Sequence, residues 1–306
     1  MNRAFASEDH HTVVVGVDGT PACSATVELA AAEAARRAAR LLIVHVWPGN
    51  YRGRFRVHDG HRTEVEGLRL LAAAAGFAAA TDPALVVETA LRAGSAGEAL
   101  AECSRAAGLL VVGHRDSQLT RSDWGSTTRL LASHCACPLM VHRGRHDARG
   151  PVVVGVSGRP GAPALGYAFT QAAATGTTLV AVHAWHRPPD RQTPHPIPVG
   201  EGGPERRAAA EMLATAVIGW QWRFPQVTAD TLVIPEMDAT YTLNRASRRG
   251  RLLVAGAGGR GELTELVGTP PAHPSGRHGL CPVLLVPPGW PVQAPPVGAS
   301  TAQLTD

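Results

Sequence analysis

Short runs of aliphatic and β-branched residues recur along the chain, separated by longer alanine-rich stretches. In the first half the apolar runs lie at 12–17, 41–47, 85–89, 109–113 and 138–142, and they predict strands. The alanine-rich stretches near 21–39, 62–80, 95–107 and 126–135 predict helices between them. Unbroken apolar strands alternating with helices imply a parallel sheet covered on both faces. Ligands of such sheets sit at the carboxyl ends of the strands, where the strand order reverses. The loops after the first and fourth strands are therefore the places where chemistry is expected.

The pattern is written twice. "VVVGVDG" at 13–19 returns as "VVVGVSG" at 152–158, and "VHVW" at 44–47 returns as "VHAW" at 182–185. "LLVVG" at 109–113 returns as "LLVAG" at 252–256, and "CPLMV" at 137–141 returns as "CPVLL" at 281–285. The matches keep their order, and the offset stays between 138 (44 to 182) and 144 (137 to 281). The chain is an internal duplication, with a period too long for a solenoid. The expected domains are 1–145 and 150–288, joined through the polar stretch "HRGRHDARGP" and followed by a disordered tail, 289–306. A chain of 306 residues accommodates two such cores.

Composition removes several chemistries. All the lysine-plus-arginine content, 29 residues, is arginine. There is thus no Walker lysine, no Schiff base and no lysine general base. The net charge is +4 with the arginines scattered. No basic stripe with interleaved aromatics marks a nucleic-acid surface. No apolar run reaches the ~20 residues of a membrane helix. The opening "MNRAFASEDHH" has no signal-peptide pattern. A cytoplasmic chain without membrane or nucleic-acid partners is expected. The five cysteines are odd in number and widely spread, which predicts reduced thiols. In "HCACPLMVH", His134, Cys135, Cys137 and His142 are metal-ligand types at close range. Cys281-Pro282 repeats Cys137-Pro138 without such company, which favours burial as small hydrophobes over a metal site.

Two loops carry candidate chemistry. After the first strand come Asp18-Gly19-Thr20-Pro21. Thr20 is expected to cap the next helix, with Pro21 in its first turn. Asp18 reads either as a ligand carboxylate for a ribose or adenine, or as a residue that tightens its own turn. After the fourth strand, Gly113 permits close backbone approach, and Gly125-Ser126-Thr127 open a helix whose free amides favour an anion. The second copy repeats the spacing from Gly256 to Gly268-Thr269. "GAGGRG" at 256–261 also fits the dinucleotide fingerprint, but it follows a fourth strand and no ribose-binding acid follows it. "VSGRPG" lacks the paired glycines of a pyrophosphatase loop, and no G-x-S-x-G elbow occurs. His45, His183, Trp47 and Trp185 stand at equivalent strand positions, which suggests structural roles.

On these residues the chain resembles a tandem universal stress protein. The family's nucleotide motif runs glycine, two residues, glycine, nine residues, glycine, then serine or threonine, after the fourth strand. An aspartate in a "GVDGS"-like stretch accompanies it, and a "CPVLVV"-type strand closes the domain. The resemblance implies an α/β fold of two doubly wound parallel five-stranded sheets, adenine nucleotide alpha hydrolase-like, as a tandem repeat. It implies ATP as a possible ligand and pairing through the last strands, as a homodimer or an intrachain domain pair. By resemblance Asp18 contacts ribose or base, and Val46 offers its backbone to adenine. The implied ATP-binding set is Gly16, Asp18, Val46, Gly113, Arg115, Gly125, Ser126 and Thr127. A second, degenerate set is Gly155, Gly256, Gly259, Gly268 and Thr269.

Departures from the motif have physical content. In the first copy Asp116 replaces the second glycine, and the following gap is eight residues, 117–124. A carboxylate in a phosphate cradle repels the ligand unless it points away. Arg115 and Arg121 are available to offset it. In the second copy Ser157 replaces Asp18 and Ala184 replaces Val46. Pro270-Pro271 delete two amide donors at the helix start. The expectation is a non-catalytic, ATP-responsive stress regulator with the better-preserved site in the first copy. No general base stands beside a nucleophile. The alternative is a dimeric interaction module of the same fold that works without nucleotide.

Overall fold

A computed structural model describes residues 11–47, 63–113, 126–144, 149–157, 163–185, 203–235, 239–257 and 280–292. The first copy runs β1 (Thr12–Val17), α1 (Cys23–Arg36), β2 (Arg40–Trp47), α2 (Glu64–Thr81), β3 (Val87–Ala93), α3 (Ala96–Cys103), β4 (Leu109–Gly113), α4 (Ser126–His134) and β5 (Leu139–His142). The second runs β6 (Val152–Gly155), α5 (Pro163–Thr175), β7 (Leu179–Trp185), α6 (Pro204–Gln221), β8 (Ala229–Pro235), α7 (Ala239–Ala246), β9 (Leu252–Gly256) and β10 (Val283–Val286). Single 3-10 turns follow α3 and α7.

The ten strands form one sheet in the order β3-β2-β1-β4-β5-β10-β9-β6-β7-β8. Each half is parallel, and the halves join where β5 and β10 pair antiparallel, with Met140 opposite Leu284. The two expected five-stranded sheets are thus the halves of a continuous one, and the last strands pair within the chain. Neither is left as a bare edge that would recruit another chain.

Burial follows from the pattern. β1, β4 and β5 are apolar on both faces because helices cover both faces. Val13, Val15, Leu41, Ile43, Leu109 and Val111 pack on one side with α1 and α2. Val14, Val44, Leu110, Val112, Leu139 and Val141 pack on the other with α3 and α4. Each fully buried aliphatic side chain contributes about 1.5–3 kcal/mol of transfer free energy. β3 begins at Val87 and ends at Ala93, four residues beyond the expected end at 89; it is an outer strand paired with β2 and half exposed. Its sequence, "VETALRA", therefore mixes polar and apolar residues instead of running apolar. Trp290, which falls in the expected tail, packs against both core layers, and residues 293–306 lie outside the described residues.

The helices start and stop by local chemistry. Thr63 caps α2 in a capping box: its hydroxyl accepts from the Glu66 amide at 3.2 Å, and Glu66 accepts from the Thr63 amide at 3.1 Å. Helix α1 ends when Ala38 turns left-handed at φ 48°, and α5 ends when Gly176 does so at φ 61°. In both, the next residue donates five residues back, Ala39 to Ala34 and Thr177 to Ala172. This is the same Schellman ending in each copy.

Candidate functional site

In the first copy the strand order reverses between β1 and β4, whose carboxyl ends lead into Asp18 and out of Gly113. Asp18 is exposed there. Its Oδ1 accepts from the Thr20 amide at 3.0 Å and from the Thr20 hydroxyl at 2.7 Å. This is an Asx turn, made possible by Gly19 at φ 78°. The turn fixes the carboxylate at the rim of the crevice. It also overturns the expected cap. Thr20 uses its hydroxyl on Asp18 and its carbonyl on the Cys23 amide, and α1 begins after Ala22 with no side-chain cap.

A histidine in each copy supports this rim from behind. His45 Nδ1 lies 2.8 Å from the Val17 carbonyl, and His183 Nδ1 lies 2.7 Å from the Val156 carbonyl. Each ties the second strand of its copy to the residue just before Asp18 or Ser157. β2 continues past β1, since the last registered pair is Val17 with His45. Val46, half buried, therefore stands beyond the end of β1 at the crevice.

Three of the four strand glycines are closely packed. A Cβ on Gly16 would lie 2.8 Å from Leu100 of α3, and one on Gly155 would lie 2.8 Å from Leu243 of α7. A Cβ on Gly113 would lie 2.9 Å from the Thr26 hydroxyl of α1. At Gly256 nothing among the described residues lies within 4 Å. The difference comes from α1 against α5. Thr26 corresponds to Ala164, eight residues before the carbonyl that receives each Schellman bond.

Thr26 also meets His142, which the sequence offered only as a metal-ligand type. Its hydroxyl donates to Ala22 O at 3.1 Å and lies 3.4 Å from His142 Nδ1. His142 is buried and pairs in register with Gly113. In the second copy the residue in register with Gly256 is Val286. The first crevice thus has a polar Thr26–His142 pair behind its β4 end, where the second has Ala164 and Val286. No local pattern announces this pair, because 116 residues separate its members.

Ser126 and Thr127 open α4, whose first amides have no carbonyl one turn back within the helix. Arg115, Asp116, Arg121, Gly125, Gly259, Gly268, Thr269 and Pro270-Pro271 lie outside the described residues. The potential ligands of "HCACPLMVH" run from the end of α4 to the end of β5. Cys137 precedes its start and His142 ends it against Thr26, while His134 Nδ1 contacts Leu130 O at 3.0 Å on α4. Among the described residues no helix is long and apolar enough to cross a membrane.

Comparison with known proteins agrees with this architecture. The profile of the universal stress protein family matches residues 10–143 and again 149–287. A universal stress protein of Mycolicibacterium smegmatis is 29% identical over 279 residues, covering 85% of this chain and 92% of that one. One from Mycobacterium tuberculosis is 30% identical over 276 residues, covering 84% and 90%. The crystal structure of a universal stress protein from Archaeoglobus fulgidus superposes with a TM-score of 0.62 at 15% identity, over 90% of this chain and 96% of that one, which speaks for the fold. With both halves matched and relatives aligned over most of its length, the chain belongs to the universal stress protein family.

Proposed function

We propose that the chain is a non-catalytic stress regulator of the cytoplasm that responds to ATP or a related adenine nucleotide through the crevice of its first copy. The observation that carries this reading is that Asp18 and Gly113 both lie just beyond the last registered pair of β1 and β4, Gly16 with Val112, at the point of strand reversal, with α4 following. An acceptor for a ribose or an adenine amine and a start of a helix for phosphate stand on the two sides of one crevice. The Asx turn and His45 hold the Asp18 side of that crevice before any ligand arrives, which lowers the ordering cost of binding.

The preference for the first copy rests on Ser157, which supplies a neutral hydroxyl where Asp18 supplies a carboxylate. Binding to the folded state alone stabilises it by mass action, about 2.7 kcal/mol at a hundredfold excess over Kd. The test is equilibrium binding of a fluorescent ATP analogue to the wild type and to the Asp18→Ala, Gly125→Ala double variant. A loss of at least about tenfold, or ~1.4 kcal/mol, is expected. Equal affinity in both removes the site.

A further inference from the structure

At the end of α4 remote from the crevice, two thiols face each other. Cys135 directly follows the helix, and its amide donates to the Leu131 carbonyl at 2.9 Å. Cys137 directly precedes Pro138, the residue before β5. Their sulfurs are 3.8 Å apart. Cys137 is wholly buried and Cys135 is half buried. The residue between them is fixed from outside: the Ala136 amide donates to the Ser104 hydroxyl at 2.9 Å, and that hydroxyl donates to the Ala101 carbonyl at 2.6 Å.

The two sulfurs differ in character. The hydrogen bond from Cys137 lowers the pKa of Cys135 below its usual 9.0, against burial and with help from Ser104. Burial first, and then the neighbouring Cys135, push Cys137 well above that value. Burial also raises Cys23 and Cys103. The half-exposed Cys135 is therefore the sulfur that ionises first, and the thiolate is the reactive form. Residues two apart lie at most about 7 Å apart between Cα atoms, near the upper limit that disulfides bridge, and the sulfurs at 3.8 Å have to close to ~2 Å to bond. The second copy has no such pair, since Gly279 stands two residues before Cys281.

We propose that Cys135 and Cys137 form a peroxide-sensitive disulfide site that joins the end of α4 to the start of β5. The Cys135 thiolate attacks one peroxide oxygen, the O–O bond breaks, and the departing hydroxide takes a proton to become water. Cys135 is then a sulfenic acid. Cys137 attacks that sulfur, the S–O bond breaks, and the oxygen leaves as water with the Cys137 proton. Two thiols have lost two electrons, and one peroxide has become two waters. The product ties α4, which opens beside the crevice, to β5, the strand at the seam between the copies.

The test uses the full reduced chain, treated with hydrogen peroxide, unfolded, alkylated and mapped by peptide mass. The expected result is a Cys135–Cys137 disulfide formed before any other cysteine loses its alkylation. In Cys137→Ser a sulfenic acid at Cys135 should be captured by dimedone, and in Cys135→Ser neither product should form. Circular dichroism checks that both variants fold, and wild-type mapping alone decides the matter if they do not. Alkylated Cys135 and Cys137 after another cysteine has reacted, or a linkage between chains, overturns the proposal.

Discussion

Glu33 and Gln171 occupy the same position in the two copies, and they touch each other. Each directly precedes the residue whose carbonyl accepts the Schellman bond, Ala34 in α1 and Ala172 in α5. Gln171 Nε2 donates to Glu33 Oε2 at 3.3 Å, and both side chains are buried. Contact between equivalent residues is what a two-fold relation between the copies produces at its axis, beside the β5–β10 seam. A pair of identical copies would place glutamate against glutamate. This chain has one of each; the cations that bind Glu33 come from the end of α1, and Arg251 of the second copy lies within electrostatic reach of Glu33. Arg36 and Arg37 bind the Glu33 carboxylate, and Arg37 continues to the Tyr167 hydroxyl of α5 at 2.7 Å. On the other face of the sheet, Arg143 donates to the Cys281 carbonyl at 3.1 Å and to Asn244 Oδ1 at 2.9 Å.

Gln171→Glu is expected to destabilise the chain by about 2–4 kcal/mol, because two buried carboxylates would share one site. Glu33→Gln is expected to cost less, about 1–2 kcal/mol, because Arg36 and Arg37 lose their carboxylate partner but keep more than a quarter of their side chains in water. Urea unfolding at neutral pH measures both. Wild-type stability in either variant would mean that the seam does not depend on this charge arrangement.

Acid should weaken the seam. Burial alone would raise the pKa of Glu33, but Arg37, Arg36 and the hydrogen bonds from Arg36 and Gln171 outweigh it and hold it below its usual 4.5. A carboxyl depressed in the folded state stabilises fully above its unfolded pKa, and that contribution is lost as pH falls through the folded value. Stability should decline below about pH 4.5 in the wild type, with a smaller slope in Glu33→Gln. Equal slopes in the two would contradict the pairing.

The helix endings predict opposite effects for one exchange in two places. Ala38→Gly should stabilise by up to about 1 kcal/mol, because alanine is strained at positive φ. Gly176→Ala should destabilise by about the same amount. Thermal unfolding of the two variants is sufficient to check the signs.

The glycines after β4 and β9 should also differ. Gly113→Ala drives a Cβ toward the Thr26 hydroxyl and is expected to cost about 1–3 kcal/mol, with recovery in the Thr26→Ala background. Gly256→Ala meets open space among the described residues and should stay within about 0.5 kcal/mol of wild type. Similar costs at both positions would mean that Thr26 is not the cause.

Much of the fold was legible because its signals are local. Continuous apolar runs marked β1, β2, β4 and β5, and the recurrence of four short motifs marked the duplication. β3 was displaced in the reading because a half-exposed outer strand has no continuous apolar run. Thr20 looked like a cap because Pro21 follows it, yet Asp18 two residues earlier is the better partner for its hydroxyl. Glu33 and Gln171 carry no local signal in their alanine-rich helices. Their meaning arises only when the copies close on each other, as does that of Thr26 and His142 behind Gly113. The strand-end position of Asp18 was legible; its hydrogen bonds to Thr20 show the turn role, which spacing alone does not separate from a ligand role.

The nucleotide account is tested most directly by native mass spectrometry of the intact chain with ATP. One nucleotide per chain is expected, lost in Asp18→Ala and retained in Ser157→Ala. Two nucleotides per chain, or a single one indifferent to Asp18, would contradict it.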